Sequence, residues 1–248
     1  MTEPPFAVAF PRTATYDPDW VRENALGENP LCQAELLARH LPFHEGDRVL
    51  DLGCGRAATS IFLAREFGVQ VWAADREVSP TDNFLRAAEC GVGDRVFPLR
   101  LDARDLPFPE GFFDAVVAID SWLYYGTDER YLSYLAPFLK PAGWLGVVDV
   151  ALLHEVASPE LAPPCLGSEY EEHWSYVHSL AWWRQHWEKT GLVDVVHGAY
   201  LAESGRLLRE YAQWREPGRE VDPIMRAVMR DDDGVVSLFS LVGRKREG

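Results

Sequence analysis

The chain has 248 residues, apolar and charged fractions ordinary for a globular protein, and a formal net charge of −15. Such a charge argues against a nucleic-acid substrate, which calls for Lys/Arg clusters to displace phosphate counterions; the nearest approach is the short run Arg244, Lys245, Arg246, read as a solvated terminus. Four scattered cysteines, Cys32, Cys54, Cys90 and Cys165, form no C-x-x-C pair and suggest neither a zinc site nor a disulfide framework, which fits a reduced, cytoplasmic setting.

Residues 1–30 are rich in Pro, Asp and Glu with isolated aromatics, and read as an irregular or partly helical cap. Within them the apolar run Phe6 to Phe10 is too short for a signal-peptide core and follows acidic Glu3. No apolar run reaches membrane-spanning length, so neither export nor membrane insertion is expected. From Leu31 the residues Leu31, Ala34, Leu37 and Ala38 recur at helical spacing, and Pro42 then leads to a strand from Arg48 to Leu52.

Strand and helix alternate after that. Thr59 to Phe67 reads as helix, Val69 to Ala74 as strand, Asn83 to Glu89 as helix and Val96 to Leu101 as strand. Phe113 to Ile119 reads as strand, Glu129 to Leu139 as a helix stopped by Pro141 to Gly143, and Trp144 to Val150 as strand. This alternation predicts a parallel sheet covered by helices. The last third is less regular: a helix over Ala181 to Lys189, strands over Val193 to Tyr200 and Val235 to Gly243, and between them short helices over Ser204 to Tyr211 and Pro223 to Met229. The expected organisation is one domain over 1–248, with a cap (1–45), a ligand-binding core (46–150), and acceptor-side helices with the final two strands (151–248).

The informative segment is Val49-Leu50-Asp51-Leu52-Gly53-Cys54-Gly55-Arg56-Ala57-Ala58, a strand running through a glycine turn into a helix. Glycine lets the backbone bend sharply and approach a ligand, and the following helix offers free N–H groups. Alone this is weak, because Gly53-x-Gly55-x-x-Ala58 also satisfies the dinucleotide fingerprint. Asp51 favours a ligand carrying an ammonium group over one carrying a pyrophosphate, on charge alone; a plain turn-capping role stays open. Asp75 closes the second strand and Asp102 the third, so three successive strands end in carboxylates, an arrangement suited to a polyhydroxylated, amine-bearing ligand.

With these residues in place, the sequence resembles the class I S-adenosylmethionine-dependent methyltransferases, in particular the small-molecule group, over about Pro42 to Val150. The carriers are Val49 to Gly55, Asp75, Asp102-Ala103-Arg104-Asp105-Leu106-Pro107-Phe108, Phe113 to Ala118 and Leu139 to Trp144. The resemblance implies a Rossmann-like α/β fold, a seven-stranded mostly parallel sheet with helices on both faces, and a helical insertion before the last strand. It further implies S-adenosyl-L-methionine as cofactor. Asp51, Gly53, Cys54 and Gly55 would then hold the methionine part, Asp75 both ribose hydroxyls, and Asp102 and the Ala103 N–H the adenine flanked by Arg76. Asp120 and Ser121 would line the methionine and methyl end. The third fingerprint glycine is replaced by Ala57 or Ala58, a change compatible with close helix-to-strand packing.

The implied activity is methyl transfer to a small-molecule acceptor, with no metal, nucleic acid or membrane partner and with the oligomeric state open. His154-Glu155 begins like a zinc-protease motif but lacks the second histidine, and Cys54 is read as a backbone contact rather than a nucleophile. Ile119 to Gly126 offers aromatics and no imidazole, so the candidate bases are Tyr124 and, from His173 to Leu180, His178. Trp174, Trp182, Trp183 and Trp187 are expected to fill core, with an aromatic acceptor lid as the alternative. Tyr16, Trp20 and Asn29 would either close the cleft as a lid or cover the sheet edge. Two other readings compete: a nicotinamide-dependent oxidoreductase, which leaves Asp51 and Asp102 unexplained, and an S-adenosylmethionine-binding regulatory protein without turnover.

Overall fold

The computed structural model describes residues 5–167, 170, 174–214, 223–231 and 233–247, with the backbone alone at 224 and 225. The strands are β1 (Arg48–Leu52), β2 (Gln70–Asp75), β3 (Val96–Arg100), β4 (Phe113–Ile119), β5 (Leu139–Leu152), β6 (Val193–Tyr200) and β7 (Val236–Lys245). They form one sheet in the order β3-β2-β1-β4-β5-β7-β6. The first five pair in parallel with one another, and β7 runs antiparallel between β5 and β6. The mostly parallel, seven-stranded Rossmann-like sheet expected from the sequence is therefore present.

The helices are α1 (Phe6–Ala9), α2 (Pro18–Asn24), α3 (Pro30–Ala38), α4 (Ala58–Phe67), α5 (Pro80–Glu89), α6 (Tyr131–Leu135), α7 (Leu180–Glu188), α8 (Ser204–Gln213) and α9 (Pro223–Val228). Their starts are written in the sequence: α2, α3 and α5 place proline at the first turn, where its missing N–H costs nothing. Asn29 caps α3 by accepting from the Cys32 N–H at 3.2 Å, and Ser179 caps α7 by accepting from the Trp182 N–H at 3.3 Å. Helices α8 and α9 are the insertion before the last strand.

Alternation along β1 divides the core. Val49 packs toward α3 and α4 with Leu37, Ile61 and Phe62, whereas Leu50 and Leu52 face the opposite layer, which contains Trp122, Trp183, Trp187 and Phe239. A third apolar cluster joins Phe10, Cys32 and Leu36 to Val150, Trp174, Leu207 and Leu238.

The largest departure from the expected boundaries lies at α6 and β5. The helix expected over Glu129 to Leu139 is the short α6 followed by a 3-10 turn (Ala136–Phe138), and β5 already begins at Leu139. Leu139 pairs with Phe113, and the segment with the Pro141 stop signal is an irregularity inside the strand pairing, with Ala142 at φ +58°, rather than a separate loop.

Chain order reverses direction in the sheet between β1 and β4, because β2 and β3 lie to one side of β1 and β4 to the other. A crevice opens at the carboxyl ends of strands at such a reversal, and ligands of open α/β sheets bind there.

Candidate cofactor and active site

The turn after β1 forms one wall of that crevice. The Gly53 and Cys54 N–H groups both donate to the Ala74 carbonyl at the end of β2, at 2.8 and 3.0 Å. Gly53 and Gly55 have φ of +78° and +52°. A Cβ added at Gly53 would lie 2.5 Å from the Ser121 Cβ, so both backbone and space require glycine. From α5 the buried Asn83 donates its amide N–H to the Gly55 carbonyl at 2.9 Å, fixing the far side of the turn. Ala57, at the third fingerprint position, sits at φ +59° just before α4. The departure from glycine is thus a backbone matter more than a packing one; an L-residue pays about 1–2 kcal/mol in this region.

The three strand-end acids meet different environments. Asp75 lines the crevice, and its carboxylate accepts from the Gly55 N–H at 2.9 Å, the Glu77 N–H at 2.8 Å and the Val78 N–H at 2.9 Å. A carboxylate has about four acceptor sites, of which backbone donors take three. Asp102 also lines the crevice; it accepts from the Arg104 N–H at 2.9 Å and faces Arg76 at 3.8 Å.

Asp51 is the correction. It lies on the face of β1 turned toward α4, is 1% exposed, and is not among the residues lining the crevice. Its carboxyl accepts from the Ser60 hydroxyl at 2.5 Å. Burial, and secondarily the Asp75 charge, pushes its pKa up to about 7 against the lowering effect of Ser60. Expected to grip the ligand beside Asp75 and Asp102, Asp51 instead bonds to Ser60 of α4, beneath the strand that leads into the glycine turn.

The opposite wall follows β4. Asp120 adopts φ +55°, a conformation acidic side chains tolerate better than most. Its carboxylate lies so close to the Gly27 backbone that a Cβ there would be 1.7 Å from it. The Ser121 hydroxyl donates to the Leu52 carbonyl at 2.7 Å and meets the Tyr125 hydroxyl at 3.0 Å, which ties the two walls together. Tyr124 lines the crevice and is 62% exposed, and its carbonyl accepts from Arg104 at 2.8 Å. Ala103 and Arg76 are part of the same lining. The Ala103 carbonyl accepts from the Tyr131 hydroxyl at 3.0 Å. Cys54 lines the turn with its thiol pushed well up, first by burial and then by Asp51 and Asp75, which keeps it un-ionised.

Two contributions were missed from sequence. Leu26, Gly27 and Glu28, between α2 and α3, and Pro30 at the start of α3 close one side of the crevice. Asp149, fully buried in β5, accepts from the Leu123 N–H at 3.0 Å and from its neighbour Val150 at 2.8 Å, and burial raises its pKa. It anchors the loop bearing Ser121 and Tyr124 to the sheet. A lone acid inside the apolar run Trp144 to Leu153 was the available signal, since unpaired acids are seldom fully buried.

His178 is not among the lining residues; it is paired with Glu155 and stacked on Trp182. Its neighbour His173 lies outside the described residues. Trp174, Trp183 and Trp187 are buried in the core, and Trp182 is half-buried between His178 and His186. Tyr16 and Trp20 do not close the crevice. The Tyr16 hydroxyl donates to Glu66 at 3.0 Å and its ring packs on Phe62, on the α4 side.

The crevice encloses about 580 Å³, within the usual range of small-molecule and cofactor sites. A depression of about 600 Å³ bordered by Trp20, Arg65 and Arg95 lies by the amino end of β3, away from the strand ends where such folds bind ligands.

Comparison with known proteins agrees with this geometry. Residues 49–143 match a family described as a methyltransferase domain. The 27-O-demethylrifamycin SV methyltransferase of Amycolatopsis mediterranei is 32% identical over 145 residues, 57% of this chain and 53% of that protein. The fatty-acid O-methyltransferase of Mycolicibacterium smegmatis is 32% identical over 118 residues, 48% of this chain and 42% of its own. The chain spans about half the length of these curated relatives. Among solved structures, the cyclase SpnF superposes with a TM-score of 0.73 at 20% identity over 97% of both chains. A geranyl diphosphate methyltransferase in complex with SAM does so at 0.68 and 22% identity, over 88% of this chain and 85% of that one.

Proposed function

We propose that this chain, which carries a methyltransferase domain at residues 49–143 on the class I methyltransferase fold, binds S-adenosylmethionine in the crevice and transfers its methyl group to a small molecule. The observation that carries the reading is the joint lining of one crevice by the glycine turn, Asp75, Asp102, Ala103 and Asp120. When bound, the cofactor supplies an electrophilic methyl group on a sulfonium.

The residues fit such a ligand. The fourth acceptor site of Asp75 is open to a ribose hydroxyl. Asp102 would take an exocyclic amine and the Ala103 N–H a ring nitrogen, a reading supported by the presence of both residues in the crevice lining. The sharp bend at Gly53 and Gly55 lets the backbone approach a methionine carboxylate, and Asp120, with Ser121 beside it, offers a counter-charge to the ammonium end. Asp51 contributes through the strand that leads into the turn. Of the two candidate bases, Tyr124 lines the crevice and is assigned to the acceptor, whereas His178 does not line it, and the whole chain is read as one domain. For in-line displacement the main task is alignment in a dry pocket, worth about 7–11 kcal/mol when the reacting atoms are held collinear.

Isothermal titration tests the cofactor assignment: micromolar binding of S-adenosylmethionine or S-adenosylhomocysteine without binding of NADH is expected, and the reverse pattern would overturn it. A second reading, cofactor binding without methyl transfer, draws on the superposition with a cyclase, because a shared fold does not fix the reaction. Tight binding with no S-adenosylhomocysteine released across thiols, amines, phenols and acids would favour it.

A further inference from the structure

We propose that Asn83, oriented by Arg86, is a positioning residue of the cofactor site: it turns the peptide between Gly55 and Arg56 so that the Arg56 N–H is presented to the carboxylate of the methionine moiety. The inference deepens the functional reading above and rests on it.

Hydrogen-bond accounting in the glycine turn singles out one donor. The Gly53 and Cys54 N–H groups are taken by the Ala74 carbonyl, the Gly55 N–H by Asp75, and the Ala57 N–H by the Cys54 carbonyl at 2.8 Å. The Arg56 N–H donates to no atom of the described residues, although Arg56 lines the crevice. Its guanidinium is engaged elsewhere, donating to the Glu23 carbonyl in α2. Backbone N–H groups in folded chains are almost always paired, and a carboxylate entering the crevice supplies the acceptor that this one lacks.

The direction of that N–H is set from behind. The bond from Ala57 to Cys54 closes a four-residue turn, and it leaves the central peptide, Gly55–Arg56, unheld. Glycine at position 55 tolerates φ of either sign, so the backbone alone does not select one orientation of that peptide. Asn83 makes the selection from α5, where its Nδ2 donates to the Gly55 carbonyl at 2.9 Å. In a planar trans peptide the N–H points opposite to the C=O, and no described peptide bond is cis, so the Arg56 N–H is directed away from α5. The Cys54 thiol, 3.7 Å from the same carbonyl, is a weaker second donor.

Arg86 fixes which end of the amide meets the turn. It lies one turn further along α5, and its Nη1 donates to Asn83 Oδ1 at 2.7 Å. A guanidinium only donates and a carbonyl only accepts, so Oδ1 must face Arg86 and Nδ2 must face Gly55. Asn83 is 1% exposed and absent from the crevice lining, so it acts through Gly55 and touches no ligand.

The test titrates the full chain with S-adenosylhomocysteine and with its decarboxylated analogue S-adenosylthiopropylamine, which keeps the nucleoside, the sulfur and the ammonium. The wild type should bind S-adenosylhomocysteine about tenfold more tightly or better, as one hydrogen bond to a charged group allows. Asn83→Leu should weaken S-adenosylhomocysteine about tenfold while the analogue stays within about twofold. Arg86→Ala, which keeps Asn83 but frees its amide to turn over, should lose about threefold for S-adenosylhomocysteine alone. In nitrogen-15 spectra the Arg56 amide should shift with S-adenosylhomocysteine and stay in place with the analogue. A merely structural role for Asn83 weakens both ligands alike. That result, an unaltered preference in Asn83→Leu, or a wild type that binds the two compounds equally would overturn the proposal while leaving cofactor binding intact. If Asn83→Leu does not fold, Arg86→Ala and the Arg56 amide decide by the same criteria. Failure of the wild type to bind either compound would instead overturn the functional reading, and the role of Asn83 with it.

Discussion

The Ser60 hydroxyl donates to Asp51 at 2.5 Å across the β1–α4 contact, giving a hydrogen-bond partner to a fully buried carboxyl on the strand that leads into the glycine turn. Ser60→Ala leaves that carboxyl without its donor. An unsatisfied buried polar group costs about 1–3 kcal/mol, so a drop of this size is expected in urea unfolding, accompanied by weaker cofactor binding because the strand leading into the turn is disturbed.

The same carboxyl links stability to pH. Its folded pKa of about 7 lies above the unfolded value near 3.8. The native state therefore holds an extra proton between those values, and the contribution of Asp51 is full below the unfolded pKa and lost as pH rises toward 7. In Asp51→Asn the Ser60 bond is kept and the titration removed. Unfolding free energies at pH 5 and pH 8 should differ between the two proteins by up to a few kcal/mol, with the wild type showing the steeper decline. Parallel pH profiles would refute the assignment.

At Gly53, φ of +78° and the 2.5 Å approach to Ser121 act together. Gly53→Ala is expected to destabilise the protein by at least about 1–2 kcal/mol and to abolish cofactor binding by calorimetry, since relief requires the walls at Gly53 and Ser121 to part.

Asp75→Ala removes the acceptor of three backbone N–H groups and the proposed ribose contact. Loss of a charged acceptor costs about 1.5–3 kcal/mol. Cofactor affinity should fall at least tenfold. Asp75→Asn, which keeps one carbonyl oxygen, should recover much of the stability and less of the affinity.

Trp187 is fully buried against Trp122 at a centroid distance of 5.6 Å, coupling α7 to the loop below Tyr124. Trp187→Ala is expected to cost about 3–5 kcal/mol, read as an earlier unfolding midpoint with an unchanged urea slope.

The strands of the first half were legible because each is a short apolar run between turn signals. Phe113 to Ile119 is observed at the bounds expected from the sequence, as is Arg48 to Leu52. Strand-end position brought Asp75 and Asp102 to the crevice for the same reason. Asp51 escaped that logic because its side chain obeys the alternation of β1 and points at Ser60, nine residues along the chain. The Glu155–His178 contact spans 23 residues and depends on where α7 docks, so no local pattern announces it. Gly27 is recognisable only once Asp120 is seen folded against it.

Strand β7 occupies an interior place in the sheet, pairing with β5 on one side and β6 on the other. Because β6 is synthesised before β7, it has no sheet partner until the later segment emerges. Assembly of this half must therefore await the end of translation of β7, leaving β6 to be shielded in the meantime, and fragments ending before Val236 should collect as aggregates where longer ones stay dispersed.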